Sequence, residues 1–116
     1  VLGVLRRYVP LAGEMLMVGG GSKSPLWRQI FADVYGMDIV KTTVDQDAAS
    51  LGAAAVAAVG AGLWKDFSPV NDAHRVVSVE RPVAANAAAY AKLMPAFEHL
   101  RTSQAGLGDM LRSIEI

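Results

Sequence analysis

Three consecutive glycines, Gly19-Gly20-Gly21, separate a short apolar run from a strongly patterned helical segment, and that junction constrains the fold more than any other feature. Before it, Glu14 to Val18 is bounded by Gly13 and by the glycines, which suits a strand buried on both faces. After it, Ser24 is placed to cap a helix whose first residue is Pro25, where the ring supplies the right φ and the missing N–H is not needed. Leu26, Trp27, Ile30, Phe31, Val34 and Tyr35 recur at helical spacing as an apolar stripe, and Gly36 is the expected stop. The reading is strand, glycine turn, helix.

The pattern continues in the same style. Asp38 to Thr42 offers a second short strand, and the acidic turn at Asp45 and Asp47 is placed to cap a following helix. Ala48 to Val59 consists of small residues and is expected as a helix deep in a core, ended by Gly60 and Gly62. The unit is therefore β-α-β-α. Trp64 to Pro82 is rich in turn residues and reads as a surface excursion with one short strand at Val76 to Val79. Ala84 to Leu100 returns to helix, with Pro95 expected to bend it or remove one hydrogen bond. At the two ends, Val1, Leu2, Leu5 and Tyr8 fall near one helical face, and Leu107 to Ile114 repeats helical spacing.

Composition narrows the class. At 116 residues the chain suits one small domain, and 53% apolar against 19% charged residues excludes a disordered tail. Eleven basic residues balance eleven acidic ones and no basic run exceeds Arg6-Arg7, so neither a nucleic acid nor an anionic membrane is an expected partner. The absence of cysteine excludes disulfides and thiolate metal sites and agrees with a reducing cytoplasm. Leu51 to Trp64, the longest apolar stretch, is shorter than the ~20 residues a bilayer demands. The chain opens on Val1 with no leader-like segment, so a piece of a longer protein is expected.

The glycine junction is also where chemistry is expected. A strand that feeds Gly19-Gly20-Gly21-Ser22-Lys23-Ser24 into a capped helix lets a nucleotide approach, because no Cβ stands in the way and free N–H groups lie at the positive end of the helix. Glycine-rich turns are common, however, and on the residues alone a tight strand-to-helix turn packed against the core is the favoured reading. The turn is not a Walker A loop, since Ser22 precedes Lys23, and it lacks the third glycine of the dinucleotide fingerprint. Lys23 reads as a solvated side chain ahead of a phosphate contact, and Asp45 and Asp47 as capping carboxylates ahead of Mg²⁺ ligands. His74 and His99 lack partners at metal-ligand spacing and are expected at the surface or in capping roles. Trp27 and Trp64 are candidates to stack on adenine, with core packing the expectation for Trp27. No nucleophile elbow and no glycosidase-like carboxylate pair is present.

The stretch Met17 to Gly36, MVGGGSKSPLWRQIFADVYG, closely resembles the C-terminal nucleotide-binding segment of FGGY-family carbohydrate kinases, most of all those similar to xylulokinases. The resemblance runs on through Asp47-Ala48-Ala49-Ser50-Leu51-Gly52-Ala53-Ala54, where relatives more often carry glutamate at the position of Asp47, and through Gly60-Ala61-Gly62-Leu63-Trp64. Tyr90 to Phe97 resembles the family's closing helix, so residues 1–100 are expected to be the C-terminal kinase domain fragment and 101–116 a tail with a short helix.

The resemblance implies an α/β fold, part of an actin-like (ribonuclease H-like) ATPase domain, helix-rich with a few short strands. It implies ATP and Mg²⁺ as cofactors, a pentulose such as xylulose or a related polyol as the sugar, and a cytoplasmic setting. Two such domains close on a cleft in the family, the sugar lying mainly against the N-terminal one. Carried onto this sequence, the nucleotide-binding set is Gly19, Gly20, Gly21, Ser22 and Ser24. Gly20 and Gly21 are implied to touch adenosine or the α-phosphate, and Ser24 adenine. The family's catalytic aspartate and the loops that hold Mg²⁺ lie upstream of any segment present here, so no catalytic residue and no metal ligand is expected in this chain. A non-catalytic module that self-associates into a homo-oligomer through apolar surface is the second reading.

Overall fold

The structure is a computed structural model and describes residues 2–114. The elements run α1 (Leu2–Leu5), β1 (Glu14–Leu16), a 3₁₀ turn (Gly20–Lys23), α2 (Pro25–Tyr35), β2 (Asp38–Thr42), α3 (Ala48–Gly60), α4 (Val70–Ala73), β3 (Val76–Glu80) and α5 (Ala84–Arg112). Val1, which the sequence reading placed on the first helical face, and residues 115–116 lie outside the described residues.

One three-stranded sheet organises the molecule, in the order β1-β2-β3. β1 runs parallel to β2, with Met15 opposite Ile39, while β3 pairs antiparallel with β2, Val40 opposite Val79. The central strand carries the core: Ile39 is fully buried, and Val40 and Thr42 are buried beside it. Ala32, Met37 and Ala55 are the other buried apolar residues.

Local chemistry sets the bounds of α2. The Ser24 side chain accepts from the Trp27 N–H, Pro25 occupies the first turn, and Gly36 adopts the left-handed conformation at φ 62, ψ 39 that ends the helix. β2 occupies the expected residues Asp38–Thr42, and α3 starts at Ala48 as expected, with Gly62 in a left-handed turn just beyond it.

Several expectations are corrected. β1 stops at Leu16, two residues short, and is half exposed, because it is the sheet edge and pairs only with β2. The apolar stripe of α2 does not face the sheet. Arg28, Ala32 and Asp33 are the buried residues of this helix, whereas Leu26 is 70% and Trp27 54% exposed, so Trp27 is not a core residue. α3 is not deep in a core: only Ala55 of its residues is buried, because among the described residues the helix meets little more than α4. The excursion from Trp64 holds the helix α4 as well as the expected strand.

Pro95 lies inside α5 without ending it, and the helix runs unbroken across residue 100 to Arg112. The N-terminus of α5 is pinned to α2. Asp33 accepts from the Val83 backbone N–H at 2.7 Å, from Asn86 Nδ2 at 2.8 Å and from Gln29 Nε2 at 2.9 Å. Burial works against the charge of Asp33, yet these three donors outweigh it and hold the carboxyl below its usual range. Farther along, Tyr90, Leu93, Met94 and Phe97 of α5 face Val34 and Tyr35 across an apolar groove of about 640 Å³, with α1 at its edge.

Candidate nucleotide site

The glycine segment folds as a tight turn, with its underside tied down and its upper side bare. Gly19 sits at φ 82, ψ −170, a backbone region open essentially to glycine alone. Its N–H donates to the Asp45 carbonyl at 3.0 Å, which fastens the entry of the turn to the loop after β2. The Ser22 N–H and the Ser22 hydroxyl both donate to the Gly19 carbonyl, at 3.1 and 2.7 Å, and the Ser24 N–H donates to the Gly21 carbonyl. Ser22 is thereby fully buried.

Gly20 and Gly21 open the 3₁₀ turn, so their N–H groups have no partner within it, and both residues are exposed. A Cβ on Gly20 would meet nothing within 4 Å, and one on Gly21 would come within 3.0 Å only of the end of the Met17 side chain. Two bare N–H groups therefore stand next to the N-terminus of α2, where partial positive charge favours an anion.

Of the five residues expected to bind nucleotide, Gly20 and Gly21 lie on the open side of the turn. Gly19 and Ser22 hold its shape from beneath, and Ser24 occupies the helix cap, its Oγ 3.3 Å from the Trp27 nitrogen. Lys23 is exposed and donates to Gln46 Oε1 at 2.7 Å, in the loop after β2. Trp27, in the first turn of α2, is packed obliquely on Phe31 with ring centroids 6.0 Å apart.

The capping role expected of the aspartates is corrected as well. Asp47 stands at the N-cap position of α3 without a side-chain capping bond, and Asp45 lies 3.8 Å from Lys41. Among the described residues no group of three or more His, Asp or Glu is placed to hold a metal ion. His74 sets its Nδ1 2.9 Å from the hydroxyl of buried Thr42, and His99 lies exposed on α5.

Sequence reasoning missed Arg28 and Glu80. The Arg28 guanidinium donates to the Ser22 carbonyl through Nη1 and to Glu80 Oε1 through Nη2 at 2.7 Å, the two side chains being 7% and 14% exposed. Ser78 supports Glu80 with a hydroxyl donated at 3.1 Å. Arg28 holds the Glu80 carboxyl below its ordinary value of 4.5, against the cost of burial. The available signal was a second face on α2, made by Arg28, Ala32 and Asp33, beside the apolar stripe.

Comparison with known proteins bears on the same segment. Residues 10–61 match the sequence model described as the FGGY family of carbohydrate kinases, C-terminal domain. An autoinducer-2 kinase of Klebsiella pneumoniae is 36% identical over 99 residues, covering 83% of this chain and 18% of the relative. A protein described as the uncharacterized sugar kinase YgcE of Escherichia coli K12 is 40% identical over 80 residues, covering 68% of this chain and 16% of its own length. Crystal structures of a xylulose kinase and a gluconate kinase from Lactobacillus acidophilus each superpose with a TM-score of 0.70 at 27% identity, over 85% of this chain and 20% of theirs. The chain thus spans about a fifth of the length of the relatives it matches. It has the α/β fold of part of an actin-like ATPase domain, and its residues 10–61 match the FGGY carbohydrate kinase C-terminal domain.

Proposed function

We propose that this chain supplies the adenine-nucleotide side of an ATP-dependent sugar kinase. The observation that carries the reading is the exposed pair of N–H groups at Gly20 and Gly21, unobstructed by any Cβ and next to the α2 N-terminus, within the family-matched segment. In the parent enzyme the turn Gly19–Ser24 lies along adenosine and the α-phosphate, with Ser24 toward adenine. The parent transfers the γ-phosphoryl group of ATP to a hydroxyl of a pentulose such as xylulose, or of a related polyol, and works in the cytoplasm, where ATP is.

Phosphoryl transfer depends on in-line positioning and on neutralising charge around the transferred group. The groups that take the sugar proton and hold Mg²⁺ belong to other segments of the parent, and this chain alone does not turn over. Its affinity for nucleotide is weak, because one wall of a cleft offers few contacts. Equilibrium dialysis of the chain against ATP and GTP, with Gly21→Trp as the blocked control, tests the assignment. Equal retention of ATP by the variant rejects it.

One observation favours a second reading, a module that self-associates through apolar surface. The radius of gyration is 18.8 Å, against about 13 Å for a compact chain of this length. Along α5, Tyr90, Leu93, Phe97, Leu100, Leu107 and Leu111 recur at spacings of three, four or seven and so share a face, and Leu93 through Leu111 of this set are exposed. Sedimentation velocity of the chain beside Leu100→Glu/Leu107→Glu separates the readings: a wild-type chain that stays monomeric dismisses the module.

A further inference from the structure

The open face of the glycine turn is useful to a ligand only if the turn holds its shape, and the geometry shows what holds it. Three of the ties are local, the Ser22 N–H and hydroxyl to the Gly19 carbonyl and the Ser24 N–H to the Gly21 carbonyl, and a fourth takes the Gly19 N–H to the Asp45 carbonyl. The fifth is made by a side chain. The Ser22 carbonyl points down into the protein and is taken by Arg28, six residues on, and the same guanidinium is fixed by Glu80, fifty-two residues farther along on β3. Arg28 Nε, by contrast, is buried with no acceptor. A buried cation with one unsatisfied donor is a costly choice for packing alone, whereas a planar fork is the side chain able to reach the Ser22 carbonyl and the Glu80 carboxylate together.

We propose that Arg28, oriented by Glu80, is the positioning residue that fixes the turn Gly19–Ser24 in its nucleotide-receiving shape. The proposal rests on the reading of that turn as an adenine-nucleotide contact. Arg28 touches no substrate. It acts through the Ser22 carbonyl, whose fixed direction sets the peptide planes of the turn and so the aim of the Gly20 and Gly21 N–H groups. Lysine at this position keeps the charge but places one compact donor where two separate acceptors need one each.

The test uses the full chain, ¹⁵N-labelled, as wild type, Arg28→Lys, Glu80→Gln and Asp33→Asn. Asp33 lies at the other end of α2 and bonds to Gln29, Val83 and Asn86, away from the turn, so its variant reports loss of stability alone. Amide hydrogen exchange at Ser22 and Ser24 is read without ligand, and ATP affinity is read by titration. Arg28→Lys and Glu80→Gln are expected to speed exchange at both serines about tenfold or more relative to Asp33→Asn, as loss of one charge-assisted hydrogen bond requires, and to weaken ATP by a similar factor. Exchange and affinity that follow global stability equally in all three variants overturn the proposal. A wild-type chain that takes up no ATP refutes the nucleotide reading, and with it the nucleotide-receiving role, while the exchange arm still decides whether Arg28 holds the turn.

Discussion

Removing Glu80 tests the energetics of the buried ion pair directly. In Glu80→Ala the Arg28 guanidinium stays where α2 puts it, 7% exposed, with the Ser22 carbonyl as its remaining partner and Nε already without an acceptor. Breaking one side of a buried pair costs about 3–5 kcal/mol, and the 14% exposure of Glu80 lets water relieve part of it, so about 3 kcal/mol is expected. The exposed pair Arg112–Asp109, with side chains 81% and 73% exposed, is the internal reference, and Asp109→Ala is expected to cost less than about 1 kcal/mol. Replacing both buried partners, Arg28→Met with Glu80→Leu, removes the desolvation cost along with the attraction and leaves the Ser22 carbonyl without its donor, so it is expected to cost about 1–2 kcal/mol, less than Glu80→Ala. Urea unfolding followed by tryptophan fluorescence reads all three. With a slope of about 2 kcal/mol per molar, Glu80→Ala shifts the midpoint down by about 1.5 M. A Glu80→Ala midpoint equal to that of Asp109→Ala refutes the reasoning.

Three further outcomes follow from single residues. Gly19→Ala forces a side chain into the φ 82, ψ −170 region and is expected to cost about 1–3 kcal/mol in urea unfolding, whereas Gly21→Ala displaces only the flexible end of Met17 and stays within about 1 kcal/mol of wild type; the reverse order contradicts the backbone argument. Ser24→Ala removes the α2 cap and is expected to cost about 1 kcal/mol by the same measurement, with Ser24→Asp largely restoring it. Glu80 and Asp33 both sit below their ordinary values of 4.5 and 3.8 in the folded chain, so their stabilisation is complete above those values and is lost as the pH falls through the folded ones. Stability is therefore expected to be level from pH 7 to about 5 and to fall below it, and an unfolding midpoint that does not change between pH 5 and pH 3 argues against both networks.

How much of this was legible in the sequence depended on whether the cause was local. The bounds of α2 follow from Ser24, Pro25 and Gly36 within the segment itself, and β2 follows from the short run at Ile39 and Val40. The face that α2 presents did not follow, because it is chosen by partners some fifty residues away: Glu80 for Arg28, Val83 and Asn86 for Asp33. The burial of α3 was misjudged for a related reason, since a helix made almost wholly of Ala, Gly and Val carries no stripe that says which side turns inward. At the site, the open glycines Gly20 and Gly21 were readable from their place between strand and cap. The groups beneath them were hidden, because a lone arginine in a helix and a lone glutamate ending a strand give no sign of pairing until the sheet brings them to 2.7 Å.

The central claim is that Gly20 and Gly21 face an adenine nucleotide. Its most direct measurement is an amide chemical-shift titration of the ¹⁵N-labelled chain with ATP, beside inorganic phosphate at the same ionic strength. The account predicts the largest saturable shifts at Gly20, Gly21 and Lys23 with ATP, smaller ones with phosphate, and little change along β3 or the distal half of α5. ATP shifts that are absent from the turn, or that centre on the groove between α1, α2 and α5, contradict it.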